Sequence, residues 1–175
     1  MALREWGVHV QRPVSPAEVA ALELAAIDVV TVPLSWRWME ASPGVLDMSA
    51  VRHLLAPFSG SALRLQGVLG PAMPHNLPDW VVRAGGVDAP EFTSWFSSYC
   101  ARAAAELPEL KLCRIEDELN AAHPWETLRT RRRRGRSWRR ASFRRDLLLA
   151  SCAAVRSARP EIELRVTLQT GTLGW

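Results

Sequence analysis

Short apolar runs alternate with amphipathic stretches along this chain, and that order constrains its fold more than any other feature. The apolar runs predict strands at 6–10, 29–34, 62–69, 110–115 and 162–168. The amphipathic stretches predict helices at 15–26, 47–58, 92–107 and 142–158. The first begins with an N-cap serine at Ser15, a proline at Pro16 and a capping-box glutamate at Glu18. Strands that alternate with helices pair in parallel through right-handed crossovers. The sequence therefore predicts an α/β fold of about five strands and four helices.

The connections distinguish the two architectures that such an order allows. No glycine-rich phosphate loop follows the first predicted strand, which argues against a nucleotide-binding doubly wound sheet. Long connections that carry tryptophan follow strands two, three and four, whereas the loops after the helices are short. Elaborated loops at one end are typical of a (β/α)8 TIM barrel. A complete barrel takes eight strands and about 250 residues. We therefore expect residues 1–175 to form a single, incomplete barrel domain.

Composition excludes several classes of protein. With 48% hydrophobic residues, the chain can bury a core and is not predicted to be disordered. The three cysteines, Cys100, Cys113 and Cys152, lack metal-ligand spacing and are odd in number, so neither a disulfide framework nor a zinc site is indicated. No signal core or membrane span is apparent. We expect a soluble, cytoplasmic protein that needs no metal and no cofactor.

The end of the fourth predicted strand carries a cluster of functional side chains. Three acids follow the apolar run directly, and further polar or aromatic residues come soon after: Glu116, Asp117, Glu118, Asn120, His123 and Trp125. In parallel barrels the active site lies at the carboxyl ends of the strands, so a carboxylate there favours a catalytic role. The alternative is a solvated strand end without chemistry.

Three motifs carry a family resemblance. The run VVTVPLSWRWMEASPGVLDMSAV from residue 29, the loop PHNLPDWVV from residue 74 and the run IEDELN from residue 115 occur in order. Together they resemble the clan of retaining glycoside hydrolases built on this barrel, specifically its β-glucosidase-like and β-galactosidase-like members. Two positions depart from the pattern. Asp117 stands where the family usually has asparagine, and Thr31 stands where β-glucosidase-like members carry arginine.

The resemblance implies roles for individual residues. Glu118 falls on the position of the general acid and base. The implied carbohydrate contacts are Asp117, Asn120, Trp36, His75, Trp80, His123 and Trp125. Tryptophan rings stack on the flat faces of sugars, although each tryptophan and histidine here has packing as an alternative. We expect Glu40 to brace the turn at Pro43 and Gly44, and we expect Trp6 and Trp95 in the core.

One glutamate is insufficient for the hydrolysis that the resemblance implies. Retaining hydrolysis needs a second, nucleophilic carboxylate about 5 Å from the acid. In the resembling clan the nucleophile ends strand seven, so the resemblance implies an N-terminal portion that alone lacks it. We expect either self-association or a C-terminal half-barrel partner. Glu116 is a local alternative, because residues two apart on a strand point the same way.

A basic segment supports a different function. The run RTRRRRGRSWRRASFRR at 129–145 lies in a predicted loop at about 126–141 and contributes to a pI of 9.6. Phosphate backbones bind such runs through release of counterions. The alternative to a hydrolase is therefore a nucleic-acid or anionic-surface binding module without catalysis. The run also fits a solvated loop that leads into the fourth helix.

Overall fold

A computed structural model describes residues 5–70, 76–115 and 141–166. The strands are β1 (Gly7–His9), β2 (Val29–Leu34), β3 (Arg64–Leu69), β4 (Leu112–Ile115) and β5 (Glu163–Arg165). The helices are α1 (Pro16–Leu24), α2 (Trp36–Met39), α3 (Ser49–Leu55), α4 (Asp79–Arg83), α5 (Phe92–Glu106) and α6 (Ala141–Ala158). Short 3-10 turns occupy Ala56–Phe58 and Gly86–Asp88.

The sheet has the topology of a barrel wall. All neighbouring strands are parallel, and their spatial order β1-β2-β3-β4-β5 follows the chain. When the strands follow one another in chain order, right-handed crossovers place every helix on the same face of the sheet. In a doubly wound sheet the strand order reverses, and helices lie on both faces. The predicted α/β fold of TIM-barrel type is confirmed. The bounds of β2 match the predicted run 29–34 at both ends.

One hydrophobic cluster fills the space between the sheet and the helices. Val30, Val32 and Leu34 alternate along β2 and belong to it, whereas Val29 is buried outside this cluster. This alternation is the two-residue period of a strand with helices on one face. A Cβ atom on Gly67 would lie 2.6 Å from Cδ1 of Leu34, so close packing requires glycine in β3.

Helix α1 begins at the predicted capping box. The Ser15 hydroxyl accepts from the Glu18 N–H at 3.2 Å, and the Glu18 carboxylate accepts from the Ser15 N–H at 2.7 Å. These bonds satisfy N–H groups that have no partner within the helix. Hydrogen bonds from Arg12 and Ser15 lower the pKa of Glu18 to about 2. The serine, proline and glutamate of this start were therefore sufficient to locate it from the sequence.

The opposite face of the sheet carries a buried polar pair. Thr31 and Gln66 are buried neighbours on β2 and β3, and the Gln66 amide donates to the Thr31 hydroxyl at 3.1 Å. The Gln66 Oε1 atom is buried without a hydrogen-bond partner in the described part of the chain. The register therefore sets a polar pair on the face away from the helices.

A ring of four charges shows that the sheet is curled. Arg64 bonds Glu5 and Glu163 at 2.6 Å each, while Arg165 bonds Glu163 at 2.8 Å and also pairs with Glu5. The hydrogen bond from Arg165 lowers the pKa of Glu163. Because Glu5 precedes β1 and Arg165 lies on β5, these pairs connect both edges of the five-stranded order. A flat sheet would separate those edges by four strand spacings of about 4.8 Å each.

The two tryptophans predicted in the core behave differently. Trp95 is partly buried and packs against the core, as predicted. Trp6 is 63% exposed, so its prediction was wrong. Trp6 directly precedes β1, which pairs with only one strand among the described residues. An apolar ring beside a sheet edge has fewer neighbours to cover it.

Candidate functional site

The described part of the candidate site lies where β2 and β3 end. Ser35 and α2 follow β2 directly, and Asn76 and α4 follow β3. The carboxyl ends of parallel strands meet at one edge of a sheet, which is the edge that holds active sites in barrels. The Ser35 hydroxyl lies 3.4 Å from Oδ1 of Asn76, so the two connections touch. The loops after β2 and β3, which belong to the first two sequence motifs, therefore form one surface.

Trp36 lies at the centre of this region but is fully buried. Its ring stacks on Tyr99 with centroids 5.4 Å apart and meets Phe92 and Phe96 at 5.9 and 5.5 Å. Its indole N–H donates to the Glu40 carboxylate at 2.7 Å. A ring with 0% exposure offers no face to a sugar. The structure corrects the expectation of a carbohydrate contact and places Trp36 in the packing beneath the surface.

Glu40 holds several parts of this region together. One carboxylate oxygen accepts from the Trp36 indole, and the other accepts from the Gly44 N–H at 2.7 Å and from Arg102 at 2.6 Å. The prediction that Glu40 braces the turn is confirmed at Gly44, whose positive φ of 76° suits glycine. The carboxylate is buried, and Arg102 of α5 forms an ion pair with it.

Arg102 was missed by sequence reasoning. It lies in α5 beside Cys100, Ala103 and Ala104, all three of which are fully buried. A single arginine among small buried residues indicates a partner carboxylate nearby, because burying an unpaired charge is costly. That signal was present in the sequence, although nothing local identified Glu40 as the partner 62 residues away.

Trp80 joins the same cluster from α4 and is partly buried. Its indole N–H donates to the Glu40 carbonyl at 3.0 Å. Its ring meets Trp36 edge-on at 5.9 Å and Trp95 at 5.3 Å. The half-buried ring is thus fixed in orientation from below. A partly exposed tryptophan ring can stack on a flat ligand.

An exposed aromatic residue also lies at this edge, and sequence reasoning missed it. Trp38 is 75% exposed, and the guanidinium of Arg37 lies 5.9 Å from the centre of its ring. Arg37 in turn pairs with Asp79 at 3.0 Å. Trp38 borders a groove of about 470 Å³. The alternation of Trp36 and Trp38 on one short helix was the available signal.

Several predicted site residues lie outside the described residues. They are Glu116, Asp117, Glu118, Asn120, His123, Trp125 and His75. Strand β4, which precedes the acid cluster, is described up to its buried end at Ile115. The basic run is described only from residue 141 onwards, where Arg145 pairs with Asp146 at 2.9 Å.

The described residues carry little else that is reactive. Burial raises the pKa of the Cys113 thiol to about 12, so this thiol stays protonated at neutral pH. Within 5–70, 76–115 and 141–166, no group of three or more histidine, cysteine, aspartate or glutamate side chains could hold a metal ion. In the same part of the chain, every helix is too short or too polar to cross a membrane.

Comparisons with known proteins identify the fold. No known family profile and no curated protein sequence match the chain. A family 39 glycoside hydrolase from Bacteroides cellulosilyticus is similar with a TM-score of 0.67 at 16% identity, over 93% of this chain and 31% of that one. An exo-β-1,4-mannosidase from an Opitutaceae bacterium gives 0.68 at 16% identity, over 91% and 31%. A β-glucosidase from Exiguobacterium marinum gives 0.67 at 14% identity, over 87% and 36%.

These likenesses show a glycosidase-like α/β fold of TIM-barrel type. The chain spans about a third of the length of each of these structures. It therefore has the fold of part of such a barrel.

Proposed function

We propose that residues 1–175 are a single domain, the N-terminal portion of a retaining glycoside hydrolase that acts on O-glycosidic bonds of a carbohydrate. The observation that carries the proposal is the parallel register of β2, β3 and β4. It brings the end of β4 to the edge that holds Trp80, and Glu118 follows three residues after Ile115. The similar structures named for mannosidase and β-glucosidase activity support a carbohydrate substrate.

In this proposal Glu118 protonates the leaving oxygen and later deprotonates water. Asp117 stands beside it, and a neighbouring negative charge raises the pKa of a carboxyl group, which suits a general acid near neutral pH. Asp117 also accepts hydrogen bonds from sugar hydroxyls. Further sugar contacts come from Trp80 and from four residues outside the described part: His75, Asn120, His123 and Trp125.

Glu118 needs a second carboxylate that acts as the nucleophile. Glu40 is a carboxylate at the correct edge, but it is 2% exposed and both its oxygens accept hydrogen bonds. We propose that the second carboxylate lies on a C-terminal half-barrel or on another chain. Glu116 is the local alternative, two residues before Glu118.

The decisive experiment supplies the missing nucleophile from solution. Azide attacks the anomeric carbon, the bond to the leaving oxygen breaks, and Glu118 transfers its proton to that oxygen, which yields a glycosyl azide and a free alcohol. With phenyl β-glucoside or phenyl β-mannoside, we expect trace hydrolysis without azide and measurable glycosyl azide with it. Glu118→Gln is expected to lower that rate by about 10²–10⁴-fold, the usual contribution of a general acid.

Two controls make this result specific. A dinitrophenyl glycoside leaves without protonation, so its azide reaction is expected to be nearly insensitive to Glu118→Gln. Glu116→Gln is expected to resemble the wild type. Azide-dependent turnover of the phenyl glycoside that Glu118→Gln leaves intact, or no such turnover by the folded chain, contradicts the proposal. Fast hydrolysis without azide that Glu116→Gln abolishes would instead identify Glu116 as the nucleophile.

The sheet edges predict an assembly. In the described residues, β1 and β5 each pair with a single strand. Unpaired strand edges favour association with other strands. We therefore propose that the chain self-associates or binds a C-terminal half-barrel partner. Light scattering of the purified chain is expected to give a mass above the 19.5 kDa of one copy. A monodisperse monomer with cooperative melting is incompatible with this prediction.

A further inference from the structure

We propose that the groove beside Trp38 is a second carbohydrate subsite, which holds a neutral glycosyl unit of an oligosaccharide next to the unit that is cleaved. The inference deepens the proposed function and rests on it for the position of the cleaved unit. It assigns the stacking surface to Trp38 in place of the buried Trp36.

Helix geometry makes Trp38 point outwards. Successive residues of an α-helix are about 100° apart, so residues i and i+2 point in nearly opposite directions. Trp36 points into the core, where it stacks on Tyr99 and bonds Glu40. Trp38 must then face solvent, and 75% of it is exposed. A tryptophan exposed at the carboxyl-end edge of a barrel sheet is accessible to a ligand bound there.

The Trp38 ring is held in place from one side. The Arg37 guanidinium lies 5.9 Å from its centre, within the range of a cation–π contact. Asp79, at the start of α4, fixes Arg37 through an ion pair of 3.0 Å. This contact chain links the connections after β2 and β3 and favours one orientation of the ring. Preorganised rings lose less conformational entropy when they bind.

The groove combines an apolar floor with polar groups. Met39, Val51 and Leu54 are among the apolar residues of the groove. Gln11, Asp47 and Asn76 add hydrogen-bonding groups, and hydrogen bonds from Ser49 lower the pKa of Asp47, which therefore stays ionised as an acceptor. A pyranose ring has the matching character, with a face of C–H groups and an edge of hydroxyls. A few polar groups around an apolar pocket are typical of small-ligand sites.

The groove lies at a distance from β4 that suits a neighbouring sugar unit. Gln11 follows β1, Pro33 lies near the end of β2, and Asn76 follows β3, so the groove spans the carboxyl ends of three strands. Two strand spacings separate β2 from β4, which is roughly 10 Å. The subsite is therefore displaced sideways from the strand that leads to Glu118. A ligand that reaches both must contain more than one glycosyl unit.

The test measures binding of β-1,4-linked gluco- and manno-tetraose to the 175-residue chain by calorimetry and by NMR of the indole N–H groups. We expect the Trp38 indole signal, assigned by Trp38→Phe, to shift on titration. Trp38→Ala is expected to weaken tetraose binding about tenfold, the scale of one stacked aromatic contact. The matched control is Trp6→Ala, which removes an exposed tryptophan at the amino end of β1 and is expected to leave affinity unchanged.

The outcomes separate this subsite from the proposed catalysis. Equal affinities of the Trp38→Ala and Trp6→Ala variants, or no tetraose binding by the wild type, would overturn the subsite. If the subsite fails while azide-dependent turnover still requires Glu118, the proposed function stands without it. If Trp38→Ala weakens binding but no azide-dependent turnover exists, the groove binds carbohydrate and the proposed catalysis is wrong. Equal melting temperatures of both variants exclude unfolding as the cause.

Discussion

Glu40→Ala is expected to lower the free energy of unfolding by about 3 kcal/mol, the lower end of the range for breaking a buried ion pair. The substitution leaves the Trp36 indole N–H, the Gly44 N–H and the Arg102 guanidinium without their shared acceptor. The lower end applies because Arg102 is the partner that remains in the variant. Its side chain is 34% exposed, so it can regain water. Urea denaturation followed by circular dichroism measures the change.

Two comparisons isolate the cause of that loss. Glu40→Gln keeps the shape of the side chain and one acceptor oxygen, so we expect a smaller loss than for alanine. Glu106→Ala removes an ion pair with Arg52 in which both side chains are 55% exposed, and we expect less than about 1 kcal/mol. If Glu40→Ala costs no more than Glu106→Ala, then Glu40 does not organise the loop as described.

Trp36→Ala is expected to destabilise the fold by about 3–5 kcal/mol, the usual cost of truncating a buried aromatic residue. The ring is fully buried against Tyr99, Phe92 and Phe96, so its removal leaves a cavity in the core. The Glu40 carboxylate also loses a donor. Thermal and urea unfolding measure the change, and Trp6→Ala serves as the exposed control, with an expected effect within about 0.5 kcal/mol.

The double variant tests whether both residues act as one unit. Because Trp36 and Glu40 share a hydrogen bond of 2.7 Å, the combined substitution should cost less than the sum of the single ones. Strict additivity would show that the two side chains stabilise the loop independently. Near-wild-type stability of Trp36→Ala would contradict its place in the core and would reopen its assignment as a sugar contact.

The sequence by itself determined the features that depend on near neighbours. The bounds of β2 at Val29 and Leu34 follow from a continuous β-branched and apolar run. The start of α1 follows from a serine, a proline and a glutamate within four residues. The brace from Glu40 to Gly44 also spans only four residues. The order of strands and helices then implied the parallel, barrel-type sheet, because parallel strands need crossover connections.

Only the tertiary structure decided which side chains are accessible. Both Trp36 and Trp38 follow β2, and their burial differs because Tyr99, more than sixty residues away, packs against the first. The ion pair between Glu40 and Arg102 connects positions 62 residues apart, and the charge ring joins Glu5 to Arg165 across 160 residues. The register and curvature of the sheet determine which residues that are remote in sequence come into contact. A local pattern contains no information about those distances, and for that reason the sequence did not show that Trp36 is buried and Trp38 exposed.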